Sequence, residues 1–453
     1  MGQHGFTMQK TFRFHYSRAT LALLLVLLSN IPFAVFAEIT MQDLVKIAIQ
    51  HDPWLTGNQL QEKALRAQSQ GANHLPDPML SMGLLNLPTD GFVFNQEPMS
   101  QFKVGLAQTF PRGDSLAIKQ QQLSFLADQH PYQREDRKAK IQVTVSTFWL
   151  DALKAEYTIR LIKRDRVLFE QLVDIVKASY SSAQGKTRQQ DVISAQLELA
   201  RLDDRLTIVN NQRDLALTRL SEWLPATVHK AMSKRFTTHI PLPKAPKLTD
   251  KVEVLLQRGD NLGLLQLLTE HPTLLAIEQS VKAGNTAVKL AKQKYKPQWG
   301  VNASYAYRED DPLGQSRADF FSIGITVDVP IFGYAKQDSD VSASSLTAQA
   351  IETEKRLLQQ SMLTQIHSLY QQEVAYRQRE DGFLTSILPQ IQEHADASLS
   401  AYTSDDGDFS EVMRARITQL NAQIDLIHIQ IEKLKTRIQI MYFLNDPNNS
   451  GEY

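Results

Sequence analysis

The sequence predicts a mainly α-helical chain with a small β part, in which one helix–strand–strand–helix–helix unit is written twice. Three observations carry this reading. The chain realigns with itself at a constant offset of 219 residues. Each copy holds two short runs in which apolar and small or polar residues alternate, the pattern of half-exposed strands. Each copy then enters apolar seams, spaced three and four apart, within segments of about 70 residues, far longer than the helices of a globular domain.

The offset pairs Pro53 with Pro272, Pro78 with Pro297 and Pro111 with Pro330. After one slip it becomes 220, pairing Asp191-Val192 with Glu411-Val412 and Leu224 with Leu444. Repeats of this kind set the whole architecture, so they come before local structure. The units are read as 38–224 and 261–444, with 225–260 as an inter-repeat linker and 445–453 as a polar tail.

Residues 1–37 read as a signal peptide. Lys10, Arg13 and Arg18 precede the apolar run Leu21–Leu28, and Val35-Phe36-Ala37 supplies the small residue before a cut after Ala37. No later stretch approaches the ~18 apolar residues of a spanning helix. The mature chain is then either soluble after export or inserted as a β-barrel.

In the first unit the strands are placed at 79–87 and 101–110. Phe102, Val104, Leu106 and Phe110 alternate well, whereas Met79 to Leu87 does not. Helices follow at 113–182 and 188–223. Their seam reads Val145, Phe148, Ala152, Ala155, Ile159, Ile162, Phe169, Val173, Val176 and Tyr180, broken at Arg166. It returns through Val192, Ala195, Leu199, Leu202, Leu206, Val209, Ala216, Leu220 and Trp223, broken at Arg213.

The linker carries Pro225, Pro241, Pro243 and Pro246 and is expected to wrap the outside of the helices. In the second unit the strands fall at about 298–307 and 318–329 and the helices at about 333–402 and 408–443. Trp299, Val301, Ala303, Tyr305 and Tyr307 share one face, as do Phe321, Ile323, Ile325, Val327 and Val329. Met413, Ile417, Leu420, Ile424, Ile427, Ile431, Leu434, Ile438 and Met441 keep the heptad without a miss. At about 1.5 Å per residue the longest helices reach roughly 100 Å, with kinks expected at Pro131 and Pro389. Gly185 and Gly407 mark the reversals.

Function classes narrow by exclusion. Cysteine is absent, which removes disulfides, thiolate metal sites and thiol nucleophiles. Acidic and basic residues balance at 49 each, with no electrostatic reason to expect nucleic acid. Gly185-Lys186-Thr187 ends like a phosphate loop, but Tyr180 stands where the leading glycine belongs. No HExxH or GxSxG occurs, so no catalytic residue, cofactor or metal site is assigned. His74, Met79, Met82 and Met99 could offer soft ligands, but their spacing matches no established site. His51 and His271 stand before or beside proline in both units and are read as helix-terminus architecture.

Four strands cannot close a membrane barrel, which needs at least about eight, and lipid does not tolerate an open sheet edge. Spanning hairpins would therefore require several chains; three would give about twelve strands.

Signal, duplication, two short hairpins and heptad helices together resemble the TolC-like outer-membrane efflux family over essentially the whole mature chain. The resemblance implies a trimeric 12-stranded outer-membrane β-barrel continued by a long periplasmic α-helical barrel. It implies a passive duct, not an enzyme, whose partners are a periplasmic adaptor, an inner-membrane resistance-nodulation-division (RND) pump and outer-membrane lipid. Some members are acylated on a cysteine after the signal; here insertion would depend on the barrel. His74-Leu75-Pro76-Asp77-Pro78-Met79-Leu80, Asn86-Leu87-Pro88, Gln96-Glu97-Pro98-Met99 and Phe110-Pro111-Arg112-Gly113 resemble the heavy-metal branch, whose pumps export copper, silver, zinc or cadmium. Multidrug efflux, protein secretion and a poreless coiled-coil adaptor or scaffold stay open as alternatives.

The resemblance also places a periplasmic gate at the helix reversals. Its residues would be Tyr180 and Asp191 in the first unit and Tyr402, Asp405, Asp406, Asp408, Glu411 and Arg414 in the second. Glu411 stands where the family has an acidic constriction, whereas Arg414 replaces a possible second acid. The four acids would form a collar favouring cations; the plainer reading is a turn whose acids cap the next helix.

Overall fold

The computed structural model describes residues 40–182, 188–236, 240–329, 331–404 and 407–444. The expected signal segment 1–37, Gly185, Pro330, Asp405, Asp406 and the tail 445–453 lie outside the described residues.

The chain runs α1 (Met41–His51), α2 (Pro53–Ala72), β1 (Met79–Leu85), β2 (Gln101–Phe110), α3 (Ser115–Ser181) and α4 (Gln189–Leu220). It continues with α5 (Ala226–Arg235), α6 (Asp250–Arg258), α7 (Asn261–Leu268), α8 (Pro272–Lys292), β3 (Gln298–Tyr307) and β4 (Phe320–Asp328). The last helices are α9 (Ala335–Gly382), α10 (Leu388–Thr403) and α11 (Phe409–Leu444). Short helix, helix, two strands and long helices thus follow one another twice.

Local chemistry fixes the helix starts. Thr40 and Asp43 form a capping box at α1. Asp52 caps α2 and His271 caps α8, each followed by proline at the first helical position. The residue matching His271 is therefore Asp52, not His51, because the equivalent job is the cap before proline; His51 closes α1, with Nδ1 2.9 Å from the Ile47 carbonyl.

The four strands form one antiparallel sheet in the order β1-β2-β3-β4. Its register puts Leu80, Met82 and Leu84 on one face with Phe102, Val104 and Leu106. The same face continues through Trp299, Val301, Ala303, Tyr305 and Tyr307 to Val327, Ile325, Ile323 and Phe321. Strand β1 alternates after all, since Ser81 and Gly83 fall on the opposite face; Met79 and Leu85 at its ends hid the period. That opposite face is small or polar and crowded: a Cβ on Gly300 would lie 2.4 Å from Thr326 Oγ1, and one on Gly324 2.4 Å from Asn302 Oδ1. Among the described residues nothing covers the apolar face, with Ile323 and Phe321 each 73% exposed.

Each strand prolongs one helix. Helices α2, α3, α8 and α9 lie side by side in the order of their strands, and farther from the sheet the layer becomes α4, α3, α11 and α9 with α10. Both lateral edges carry uncovered leucines: Leu60 on α2, and Leu346 and Leu357 on α9. Buried seams of α3, α4 and α11, including Ile159, Phe169, Val209 and Leu420, make the distal core. Burying such side chains contributes roughly 1.5–3 kcal/mol each.

Three expectations change. Helix α3 runs unbroken through Pro131. Neighbours on both sides hold it there: Gln133 accepts from Asn58, Arg134 pairs with Glu62, and Gln129 accepts from Ser280. At Pro389 the disturbance is a π-helical turn, Phe383–Ile387, just upstream of the residue that lacks an N–H. The span 225–260 contains two helices, because its inner prolines confine the irregular chain to 240–249. It also packs inward: Met232 and Phe236 join the core of α1, α3 and α11, and Leu248, Val252 and Leu256 join that of α7, α9 and α11.

A half-buried polar knot joins the two halves at α3, α8 and α11. Asp136 accepts from Thr273 Oγ1 at 2.9 Å and Tyr442 OH at 2.7 Å and pairs with Lys140 at 2.7 Å. Burial works against its carboxylate, but these bonds and Lys140 hold its pKa below the usual value. His271 Nδ1 accepts from Thr273 N–H, so the tautomer with hydrogen on Nε2 faces the Tyr442 carbonyl at 3.1 Å. Burial lowers the His271 pKa below 6.5, against a smaller opposing pull from Asp136. A depressed histidine contributes stability present above pH 6.5 and lost as the pH falls through its folded value. The unfolding midpoint of the purified protein should therefore drop between pH 7.5 and 5.5, and His271→Asn should flatten that slope. An unchanged slope would remove His271 from the account.

Candidate gate and channel wall

Among the described residues, the distal hairpin tips hold Tyr180, Asp191, Tyr402, Asp408, Glu411 and Arg414 of the expected gate. Tyr402, in the last turn of α10, meets the Phe409 ring edge-on at 5.6 Å and packs into the distal core. Gly407 lets the chain reverse there, since a Cβ would lie 2.8 Å from the Tyr402 backbone nitrogen. Asp408 caps α11, accepting from Ser410 N–H at 3.3 Å and Ser410 Oγ at 3.0 Å. Glu411 is exposed in the first turn of α11, where the helix dipole favours a carboxylate. The Arg414 guanidinium donates to the Ser410 carbonyl at 3.3 Å.

In the other hairpin Tyr180 is half exposed near the end of α3. Asp191 is 8% exposed and accepts the Arg188 N–H at 2.9 Å, so it serves the start of α4. The structure thus groups Tyr402, Asp408, Glu411 and Arg414 at one tip and Tyr180 and Asp191 at the other. Both tips rest on one core, through Val176 and Ala195 on one side and Phe409 and Val412 on the other. Capping accounts for Asp408 and Asp191, which leaves Glu411 the freest acid among the described gate residues.

Sequence reasoning missed a polar ladder above the tip. Arg416 pairs with Asp396 at 3.1 Å, Gln419 donates to Gln392, and Arg164 reaches Gln423 at 2.5 Å, tying α3 to α10 and α11 around a cavity of about 290 Å³. The Gln392 hydrogen bond, then Arg416, lowers the Asp396 pKa. The sequence did mark two other cross-helix pairs, at its seam breaks. Arg166 reaches Asp203 across the hairpin at 2.7 Å, and Arg213 reaches buried Glu156 at 3.4 Å. Polar residues within a seam fix register between helices.

At the other end, where helices become strands, Arg112 clamps the halves together. It donates to the Lys294 and Lys296 carbonyls at 3.2 and 2.9 Å and pairs with Asp328. Gly113 follows at φ 50°, and a Cβ there would strike Lys296 Cδ at 2.3 Å. The Phe110-Pro111-Arg112-Gly113 stretch is accordingly a structural joint. His74, Met79, Met82 and Met99 do not converge: Met79 and Met82 occupy opposite faces of β1.

A sheet bare on its apolar face, each strand prolonging one helix of a long single layer, is a specific architecture. Solved structures share it. VceC, an outer-membrane protein of Vibrio cholerae, matches with a TM-score of 0.70 over 89% of this chain and 95% of its own, at 14% identity. The chain has the TolC-like outer-membrane channel fold. CusC matches with a TM-score of 0.69 over 90% of this chain and 92% of its own, at 12% identity. The MtrE outer-membrane channel of Neisseria gonorrhoeae, in its open state, gives 0.68 over 89% and 88%, at 15% identity. No family model matches the chain, and no curated protein matches its sequence. The TolC-like fold is therefore conserved here in backbone and pattern, with few shared side chains.

Proposed function

We propose that this chain is the outer-membrane channel of a tripartite efflux system, a passive exit duct working with a periplasmic adaptor and an RND pump. The observation that carries the reading is the sheet, whose continuous apolar face is uncovered and whose β1 and β4 edges are unpaired among the described residues. Lipid satisfies the first, and pairing β4 of one copy with β1 of the next satisfies the second. Three copies give a barrel of about twelve strands, within the range of membrane barrels. The uncovered edges of α2 and α9 meet in the same closure. The two units, 38–224 and 261–444, are copies of one ancestral half, supported by the repeated element order. A poreless adaptor would leave the apolar face unexplained.

The transported cargo is proposed to be heavy-metal cations, copper and silver or zinc and cadmium, supported by the loop and joint residues that resemble that branch. A clean deletion strain should become sensitive to these metals and recover with the plasmid-borne gene. Sensitivity to dyes and detergents instead would keep the duct and discard the metal.

At the gate, Asp405, Asp406, Asp408 and Glu411, tripled, form a collar that prefers cations. Neutralising all four should shift the reversal potential toward zero in bilayers under a salt gradient. An unchanged potential would leave these acids as caps.

A further inference from the structure

The rim where helices become strands carries two exposed lysines, Lys289 and Lys292, that no carboxylate engages among the described residues and that neither the barrel nor the gate uses. Phe110 and Trp299 face each other in the register at the end of the apolar face, and the Tyr295 and Tyr334 rings lie tilted just beyond it, 5.5 Å apart. Aromatic residues at this height mark a membrane–water interface. The carboxylates of this rim are engaged: Asp114 by Lys296 at 3.1 Å, Asp328 by Arg112, Asp338 by the Tyr295 hydroxyl, and Asp340 by Lys294 at 2.7 Å. Asp77 stands at the β1 edge, two strands away from α8.

Lys289 and Lys292, in the last turn of α8, are exposed and make no ion pair among the described residues. They continue the stripe begun by Lys282 and Asn285, whereas Ala276, Ala283 and Ala291 elsewhere around the helix are buried. With Lys296 they lie within roughly 15 Å of the aromatic rim along the chain. That is the span of a headgroup layer plus a lysine side chain, which keeps its stem on apolar surface and its ammonium in water.

We infer that Lys289, Lys292 and Lys296 bind the phosphates of anionic phospholipid headgroups in the periplasmic leaflet, a lipid belt below the barrel. The inference rests on the outer-membrane reading. The two unpaired lysines, with Lys296 beside them on Asp114, lie just past the aromatic rim and repeat three times around a trimer. Attraction to an anionic lipid surface adds up lysine by lysine and fades within a Debye length.

Native mass spectrometry of the detergent-purified trimer, offered phosphatidylglycerol or phosphatidylcholine, tests it. Wild type should retain phosphatidylglycerol preferentially, and Lys289→Gln/Lys292→Gln/Lys296→Gln should lose that preference by about tenfold while staying trimeric. Inorganic phosphate should not compete. Equal retention of both lipids by wild type, or an unchanged preference in the triple variant, overturns the belt. If loss of the Lys296–Asp114 pair disturbs assembly, Lys289→Gln/Lys292→Gln alone decides, with a smaller loss of preference expected and none overturning the belt. Absence of wild type from the outer-membrane fraction would instead sink the barrel reading and the belt with it.

Discussion

Replacing Ile323 by arginine is expected to abolish the membrane-inserted oligomer, whereas Ser322→Arg, one residue away, is expected to spare it. Ile323 lies near the middle of β4 opposite Ala303, on the uncovered apolar face. Arginine at the midplane of a barrel's lipid face costs about 2–4 kcal/mol, and the proposed trimer would meet that cost three times. Ser322 pairs with Ser304 on the small, polar face, which in a closed barrel looks into water. There an arginine should change conductance and leave assembly intact. Heat-modifiable migration of the membrane fraction reads the first effect, and single-channel current the second. Equal tolerance of both substitutions would mean that neither face meets lipid, and a poreless scaffold would return as the better reading.

The sequence showed most of this architecture because its signals are periodic. The heptad of α11 from Met413 to Met441 and the alternation of β3 needed no tertiary information. What stayed hidden depends on neighbours. Pro131 looked like a break because a lone helix would kink there, yet α2 and α8 hold α3 on both sides. Strand β1 looked irregular because Met79 and Leu85 sit at its ends, where either face accepts a large side chain. The second span, 225–260, looked like a linker because its prolines drew attention from the apolar Val252 and Leu256. For the described candidate gate residues, the place near the helix reversals was legible in the sequence but the roles were not. An aspartate near a helix start reads the same whether it caps or faces a pore, and the structure gives Asp191 and Asp408 capping bonds. Arg416 and Asp396 left no mark, since a polar pair at this spacing resembles any solvated helix face.

The second large effect is expected at Arg437. This residue and Glu373 form an ion pair between α11 and α9 at 9% and 1% exposure, and Arg437 also donates to the Pro246 carbonyl. Glu373 further accepts from Arg377 at 3.0 Å, and Arg377 lies 3.5 Å from Glu253 on α6. One network therefore fastens the 240–258 segment to two long helices. Removing Arg437 leaves buried Glu373 only the more exposed Arg377 as partner, so Arg437→Met should lower stability by about 2–3 kcal/mol, somewhat less than for a wholly unpaired buried charge. The pair is imperfectly satisfied, because Glu373 Oε2 and Arg437 Nε are buried without a partner among the described residues. Its worth thus lies in being complete and not in net attraction. Glu373→Leu combined with Arg437→Met should recover most of the loss, as apolar replacement of a buried pair often does. The midpoint of thermal unfolding, followed by helical circular dichroism, ranks the three proteins. A double variant as unstable as the single one would show that Arg437 acts through Pro246 alone. Helix α11 runs without a break from Arg437 to Glu411 at the tip, roughly 40 Å away. If the proposed collar gates conduction, loosening this anchor should also change the fraction of time it is open, which single-channel recording of Arg437→Met would show as altered open probability.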